Sequence, residues 1–393
     1  MDYSVIPREQ FEAAERAIIN GDAASLEQFL ITFKNNPEVR QWYGSVGPYA
    51  IDEKDFLEDA RSVIAEKHCF NSWSEYEKFK EELNRKDSSV AQFEKAVDAI
   101  ANGDAETLKQ LLQHNSGLLH ARSIRRHHST LLNYVGANGV EGFRQKTPKN
   151  AVEVAEILLN AGAEVDALGD MYRGTTTLGL VATSIHPVKT GVQKELIDIF
   201  LKYGADPNHA VAPDYTEGLL IVACLHNGRG EAAEYLAKKN ATLDLEGAAG
   251  VGDLNKVRSY FNEDGSLKEG ATKVQRDSGF MWACEYGRTG VVEFLLNHGV
   301  DISTESNGMT GLHWAVVGGQ IDMVKLLLQR NAPLEIKNCY GGTVLSQALW
   351  SAFNESRAQY LTIIENLIAV GAKVKPEWNQ YIDEVRRRYG FSQ

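Results

Sequence analysis

TGLHWA at residues 310–315 is the stretch that decides the fold, because it recurs as SGFMWA at residues 278–283, an offset of 310 − 278 = 32 residues. Each copy is followed by a glycine, Gly319 or Gly287, and then by a helix-like segment containing Leu-Leu. Each copy then closes with a short turn before the next begins. A period of about 33 residues built on this motif predicts a stack of paired helices.

A diverged pair near the N-terminus repeats the same pattern. Residues 11–30 and 93–112 are identical at 12 of 20 positions, and both read as a helix, an Asn-Gly-Asp turn and a second helix. We expect Asp22 and Asp104 to cap the second helix of each pair, since a carboxylate can accept from free N–H groups of the first turn. The repetition therefore extends well beyond the C-terminal third.

One position in the repeat alternates between glycine and asparagine. It is occupied by Asn240, Gly299 and Asn331, each where a second helix must end. These residue types tolerate the left-handed backbone conformation best, so we predict a positive φ at all three. The resulting units are 11–30, 93–113, 130–167, 176–209, 219–244, 245–277, 278–303, 310–336 and 343–374.

The motif at 310–315 and its period resemble the ankyrin-repeat family, most strongly over residues 278–374. Residues 59–83 and 131–141 also resemble segments of bacterial multi-repeat ankyrin proteins that have no assigned activity. The resemblance implies an all-α ankyrin-repeat solenoid of stacked antiparallel helix pairs with short hairpin loops, and a role in protein–protein recognition. Only one copy keeps the family's histidine, His313, which we expect to bond Thr310 at a helix start rather than to act as a ligand or a catalyst.

Three regions follow from this reading. We expect residues 1–92 to hold a diverged repeat and an inserted helical hairpin, and residues 93–374 to hold the ankyrin stack. Residues 375–393 should form a polar capping helix, because the end of a solenoid must face water.

The predicted inner helices offer one candidate partner-binding surface. Helical spacing groups residues three and four apart on one face, and that face should line a concave groove. Two tryptophans beside Gly247 and Gly250 would form an apolar notch, although they could equally pack only on neighbouring helices. The residues expected on this groove are Tyr134, Trp282, Glu285, Tyr286, Trp314 and Val317.

A second candidate surface is basic. Insertions near residues 140–150 and 184–195 lie between the helices of two copies and add cations to a chain of formal charge −12. This rim could hold an acidic partner or could simply be a solvated face. Its residues are Arg122, Arg125, Arg126, Arg144, Lys146, Lys149 and Lys189.

Charge and motifs disfavour several function classes. The net charge of −12 disfavours binding of nucleic acid or an anionic membrane by the whole surface. No secretory signal, long apolar run, catalytic motif or metal-ligand spacing is found. We therefore expect a cytoplasmic protein without cofactor, metal or small-molecule substrate, and not an enzyme.

The leading functional prediction is an adaptor that binds a protein partner through the groove and the basic rim. The alternative is a bacterial effector or immunity-type protein that blocks another protein's active site. An unrecognised enzyme remains a third hypothesis.

Overall fold

The computed structural model describes residues 6–46, 55–209, 219–306, 308–355 and 357–390, and it contains two compact units, Met1–Gly218 and Leu219–Gln393. Helices dominate both units. Among the described residues, regular strand is limited to β1 (Glu305–Ser306) and β2 (Met309–Thr310), which pair antiparallel. The predicted all-α class is confirmed. In the described part of the chain, no helix combines the length and apolar character needed to cross a membrane.

The first unit holds eleven α-helices within its described residues. They are α1 (Arg8–Asn20), α2 (Ala23–Phe33), α3 (Pro37–Val46), α4 (Phe56–Lys67), α5 (Trp73–Leu83), α6 (Ser89–Asn102), α7 (Ala105–His114), α8 (Ala151–Asn160), α9 (Thr177–Thr183), α10 (His186–Thr190) and α11 (Gln193–Lys202). Short 3₁₀ segments occupy Ser116–Leu119, Leu132–Gly136, Gly142–Arg144 and Met171–Arg173.

The second unit is more regular. Its helices are α12 (Leu220–His226), α13 (Gly230–Lys238), α14 (Leu245–Val251), α15 (Leu254–Ser259), α16 (Lys273–Glu285), α17 (Thr289–Asn297), α18 (Gly311–Val317), α19 (Ile321–Gln329), α20 (Val344–Asn354), α21 (Gln359–Ala369) and α22 (Asn379–Tyr389). A 3₁₀ turn at Pro376–Trp378 precedes the last helix.

The left-handed position that ends each helix pair is confirmed. The φ angles are 65° at Asn240, 85° at Gly299 and 59° at Asn331. Asp22 and Asp104 are also N-caps as predicted, and each side chain accepts from the backbone N–H three residues on. Local backbone chemistry therefore sets the helix ends.

Helix α16 begins earlier than the repeat pattern predicted. The sequence suggested a start near Ser278, but the helix starts at Lys273 after Thr272. The Thr272 hydroxyl accepts from Gln275 N at 3.1 Å, and Gln275 Oε1 accepts from Thr272 N at 3.0 Å. This reciprocal capping box stabilises an additional turn of helix.

The core of the second unit lies between its helix layers. Helices α16, α18 and α20 pack side by side, and Phe280, Leu312 and Ala315 are buried between them. Thr310 and His313 form the predicted bond, with 2.8 Å between Thr310 Oγ1 and His313 Nδ1. His313 Nε2 also lies 3.3 Å from Gly342 O, which links this copy to the next.

Candidate binding surface

The repeat register places three residues at the same position of successive inner helices. They are Glu285 in α16, Val317 in α18 and Trp350 in α20, at offsets of 317 − 285 = 32 and 350 − 317 = 33 residues. Trp350 is 60% exposed. The sequence reasoning missed Trp350, although the offset of 33 from Val317 was available. We call Glu285, Tyr286, Trp314, Val317 and Trp350 the inner-helix surface.

Trp282 does not lie open on this surface. Its predicted place on the groove is wrong, and the alternative of packing on neighbouring helices applies, because only 4% of the residue is accessible. Its Nε1–H donates to Glu246 Oε1 at 2.8 Å, and its ring packs against His226 and Trp314 at centroid distances of 4.6 and 5.4 Å. His226 Nε2 lies 3.4 Å from the same Glu246 oxygen. Trp282 is therefore a buried residue against which the Trp314 ring packs.

Glu285 is held differently from Glu246. Its Oε2 is closed off from solvent and has no hydrogen-bond partner among the described residues. Burial raises the pKa of this carboxyl to about 7, because desolvation disfavours the charged form. The Nε1–H of Trp314 is likewise buried without an acceptor in the described part of the chain. The surface thus contains an unsatisfied acceptor and an unsatisfied donor.

Tyr286 and Val317 are half-buried and held in place by neighbouring copies. The Tyr286 hydroxyl donates to Leu225 O at 2.9 Å. The carbonyl of Val317 accepts from Tyr360 at 3.1 Å. These bonds fix the position of the Tyr286 ring and of the Val317 backbone.

Glycines near the tryptophans do not form the predicted notch. A Cβ at Gly250 would lie 2.3 Å from Leu225 Cδ1, and one at Gly247 would lie 3.1 Å from Ile221 Cγ2. A Cβ at Gly318 would lie 1.9 Å from the carbonyl oxygen of Glu285. The glycines instead let successive inner helices approach closely, which requires the absence of a side chain.

The basic rim is split by an alternation that the sequence reasoning overlooked. From residue 121 to 129, odd-numbered residues are mostly buried and even-numbered ones exposed. Arg125 is 1% exposed, so its assignment to a surface patch is wrong. It pairs with Glu94 through two hydrogen bonds of 3.2 and 3.0 Å, and its Nε contacts Glu141. Its guanidinium also stacks 4.4 Å from the Phe79 ring centroid.

Arg144 belongs to the same buried cluster, and its place on the rim is corrected as well. It contacts Glu94 at 2.5 Å, Asp98 at 2.7 Å and Glu141 at 3.4 Å. A cation in a protein interior needs such carboxylate partners. The burial of Glu94 and Glu141 was not foreseen, and no motif in the sequence indicates it.

The other rim cations are exposed, but three of them already have acceptors. Arg122 donates to the carbonyls of His128 and Leu168 at 2.9 and 2.5 Å. Arg126 pairs with Glu66 at 2.6 Å, and Lys146 donates to Asn102 Oδ1 at 2.6 Å. Lys149 and Lys189 are exposed. Of these five exposed cations, only Arg126 is paired with a carboxylate in the described part of the chain, so a rim without Arg125 and Arg144 stays a prediction.

Tyr134 is also buried, at 2% exposure, so its place on a groove is corrected. The predicted inner helix of this copy is a 3₁₀ segment that ends at Ala137 in the left-handed region. The Tyr134 hydroxyl lies 3.4 Å from Glu141 Oε1, and the Tyr134 ring packs edge-on against His127 with 5.8 Å between ring centroids. Tyr134 thus belongs to the ionic cluster of the first unit.

Comparison with known proteins agrees with this geometry. A family model of ankyrin repeats matches in three copies, over residues 245–338 and 280–376. The palmitoyltransferase AKR1 of Lachancea kluyveri is 31% identical over 105 residues, which cover 26% of this chain and 14% of that protein. Ankyrin repeats serve as protein-interaction modules. The helix pairs, the repeat register and the family match identify residues 245–376 as ankyrin repeats.

Proposed function

We propose that the inner-helix surface of the second unit binds a segment of a partner protein, so that the chain acts as a non-catalytic adaptor. The observation that carries the proposal is Trp350, a large aromatic residue that is 60% exposed at the register position of Val317. Tryptophan is among the residues most enriched at the energetic centres of protein interfaces.

The fold does not need the Trp350 side chain for its own packing. Its neighbours Leu349, Ser351 and Ala352 are buried at 6%, 1% and 0% and join α20 to the rest of the unit. The indole lies on the other side of the helix, toward solvent. An aromatic ring that contributes little to the core but remains exposed is a reason to propose a contact with another molecule.

The neighbouring turn extends the surface. Asn338 Nδ2 donates to Gln347 Oε1 at 3.1 Å, and Gln347 lies one turn before Trp350 in α20. The same asparagine accepts from Tyr340 N at 3.0 Å and from Gly342 N at 2.9 Å. These bonds connect the turn that carries the 87% exposed Tyr340 to the helix that carries Trp350. A partner segment could contact both aromatic rings without reordering the turn.

The test is affinity capture by the full-length protein in three forms, the wild type, Trp350→Ala and Val370→Ala. Val370 is a matched control, because it is 51% exposed at the end of the outer helix α21. We expect Val370→Ala to keep the captured partner and Trp350→Ala to weaken binding by about 2 kcal/mol or more. A partner held equally by all three proteins would refute this surface.

A further inference from the structure

The carboxyl of Glu285 is the least satisfied acidic group of the inner-helix surface. Neither a hydrogen bond nor an ion pair joins it to another residue in the described ranges, and its Oε2 is closed to solvent. A polar group left without a partner in a partly buried site is unfavourable. Its presence on a surface proposed to bind a partner points to a group that the partner supplies.

Glu246 shows that this part of the fold can satisfy a carboxylate internally. Its oxygen receives the indole N–H of Trp282 at 2.8 Å and lies 3.4 Å from the imidazole of His226. Glu285 lies one turn beyond Trp282 on α16, on the same side of the helix. The two carboxylates therefore differ in partners, and only Glu285 keeps its binding capacity unused.

Charged and titratable groups on the surrounding elements are engaged elsewhere. Arg288 donates to Gly250 O and contacts Glu234, and Arg229 donates to Gly228 O. His313 bonds Thr310 in α18, His226 faces Glu246, and the Tyr286 hydroxyl donates to Leu225 O. Burial alone, without a neighbouring charge, raises the pKa of Glu285. Among the described residues none of these groups bonds to Glu285, although the Nε of Arg229 is itself buried without an acceptor.

We propose that Glu285 receives a lysine or arginine side chain of the bound segment while an apolar residue several positions further along that segment covers Trp350. This inference rests on the proposed function. A basic side chain would ionise the carboxyl and pair with it, and the nearby Trp314 ring offers a cation–π contact. The formal charge of −12 also favours approach of a basic segment.

Binding of a cation at this site is linked to proton release. The pKa of Glu285 in the free protein is about 7, so roughly nine-tenths of the carboxyl is ionised at pH 8 and roughly one-tenth at pH 6. Since the cation pairs with the ionised form, apparent affinity should fall about tenfold between these two pH values. Lysine and arginine keep their charge throughout this range.

The experiment selects peptides from a random phage-displayed library on the immobilised full-length protein at pH 8. Selected peptides without histidine are then measured at pH 8 and pH 6 against the wild type, Glu285→Gln, Glu293→Gln and Trp350→Ala. Glu293 is the matched control, because it is an exposed carboxylate on the outer helix of the same repeat, 3.9 Å from Arg330.

We expect the selected peptides to share a lysine or arginine and, several positions away, an apolar residue, because α18 lies between the helices that carry Glu285 and Trp350. Their binding should weaken at least tenfold on Glu285→Gln and stay unchanged on Glu293→Gln. The tenfold loss between pH 8 and pH 6 should occur in the wild type and be absent in Glu285→Gln.

Two failures are distinguishable. Peptides that need Trp350 but bind Glu285→Gln as tightly as the wild type would overturn the role of Glu285 and leave the proposed function intact. Selection of no peptide, or of peptides indifferent to Trp350→Ala, would overturn the binding surface itself and this inference with it.

Discussion

Arg125 and Arg126 are adjacent in sequence but occupy opposite environments, which makes them a matched pair for a stability test. Arg125 is 1% exposed and makes two bonds to Glu94, whereas Arg126 and Glu66 are each 37% exposed in their side chains. Removing one partner of a buried ion pair leaves an uncompensated charge and costs about 3–5 kcal/mol. An exposed pair contributes about 0–1 kcal/mol.

We therefore expect Arg125→Ala to lower the free energy of unfolding by about 4 kcal/mol, and Arg126→Ala by less than about 1 kcal/mol. Arg125→Met separates charge from packing, since it keeps an alkyl chain over Phe79, where the guanidinium now lies 4.4 Å from the ring centroid. If the excess negative charge of buried Glu94 and Glu141, then offset by Arg144 alone, dominates the loss, Arg125→Met should lose nearly as much stability as Arg125→Ala.

The assay is urea unfolding followed by circular dichroism, combined with hydrogen exchange of the α6 amides, which report on the first unit. Exchange in α6 should accelerate strongly in Arg125→Ala and little in Arg126→Ala. Equal losses for the two alanine variants would contradict the assignment of Arg125 to a buried cluster.

Three further outcomes are expected. Gly318→Ala should destabilise the protein by about 1–3 kcal/mol through overpacking, because the added Cβ would lie 1.9 Å from the carbonyl oxygen of Glu285. Gly44→Ala is the control in thermal melts, since a Cβ there meets nothing within 4 Å. In urea unfolding, Leu312→Ala should lower the free energy of unfolding by about 2–5 kcal/mol and Trp350→Ala by less than about 1 kcal/mol. Equal losses for the two variants would place Trp350 in the core. The pKa of Glu285 is raised in the fold from 4.5 to about 7, so its neutral form stabilises fully below pH 4.5 and this stability is lost as pH rises through 7. Glu285→Gln should accordingly exceed the wild type in stability by about 3 kcal/mol at pH 8 and match it near pH 4, as urea melts at both pH values would show.

Much of the fold was predictable because its signals are local. The left-handed positions Asn240, Gly299 and Asn331 and the caps Asp22 and Asp104 depend on backbone preferences of a few neighbouring residues. The start of α16 was missed for a similarly local reason, since the capping box of Thr272 and Gln275 was overlooked.

The candidate site was less predictable, because exposure depends on what packs against a face. Trp282 and Trp314 occupy equivalent positions 32 residues apart, yet Trp282 is buried since Glu246 and His226 from earlier copies cover it. Trp350, at the register position of Val317, is 60% exposed on the same side. Helical spacing predicted which residues share a helix face, but it could not predict which residues of other repeats pack against that face.

By itself, the sequence determined the period, the helix pairs and the residues that end them, since these follow from spacing and from the conformations that glycine and asparagine tolerate. Tertiary structure alone decided which charges and rings remain available. Arg125 meets Glu94 across 31 positions and Glu141 across 16, and these contacts remove it from the surface. Within the described ranges Glu285 Oε2 has no partner, because the packing between repeats buries it and brings no donor to it.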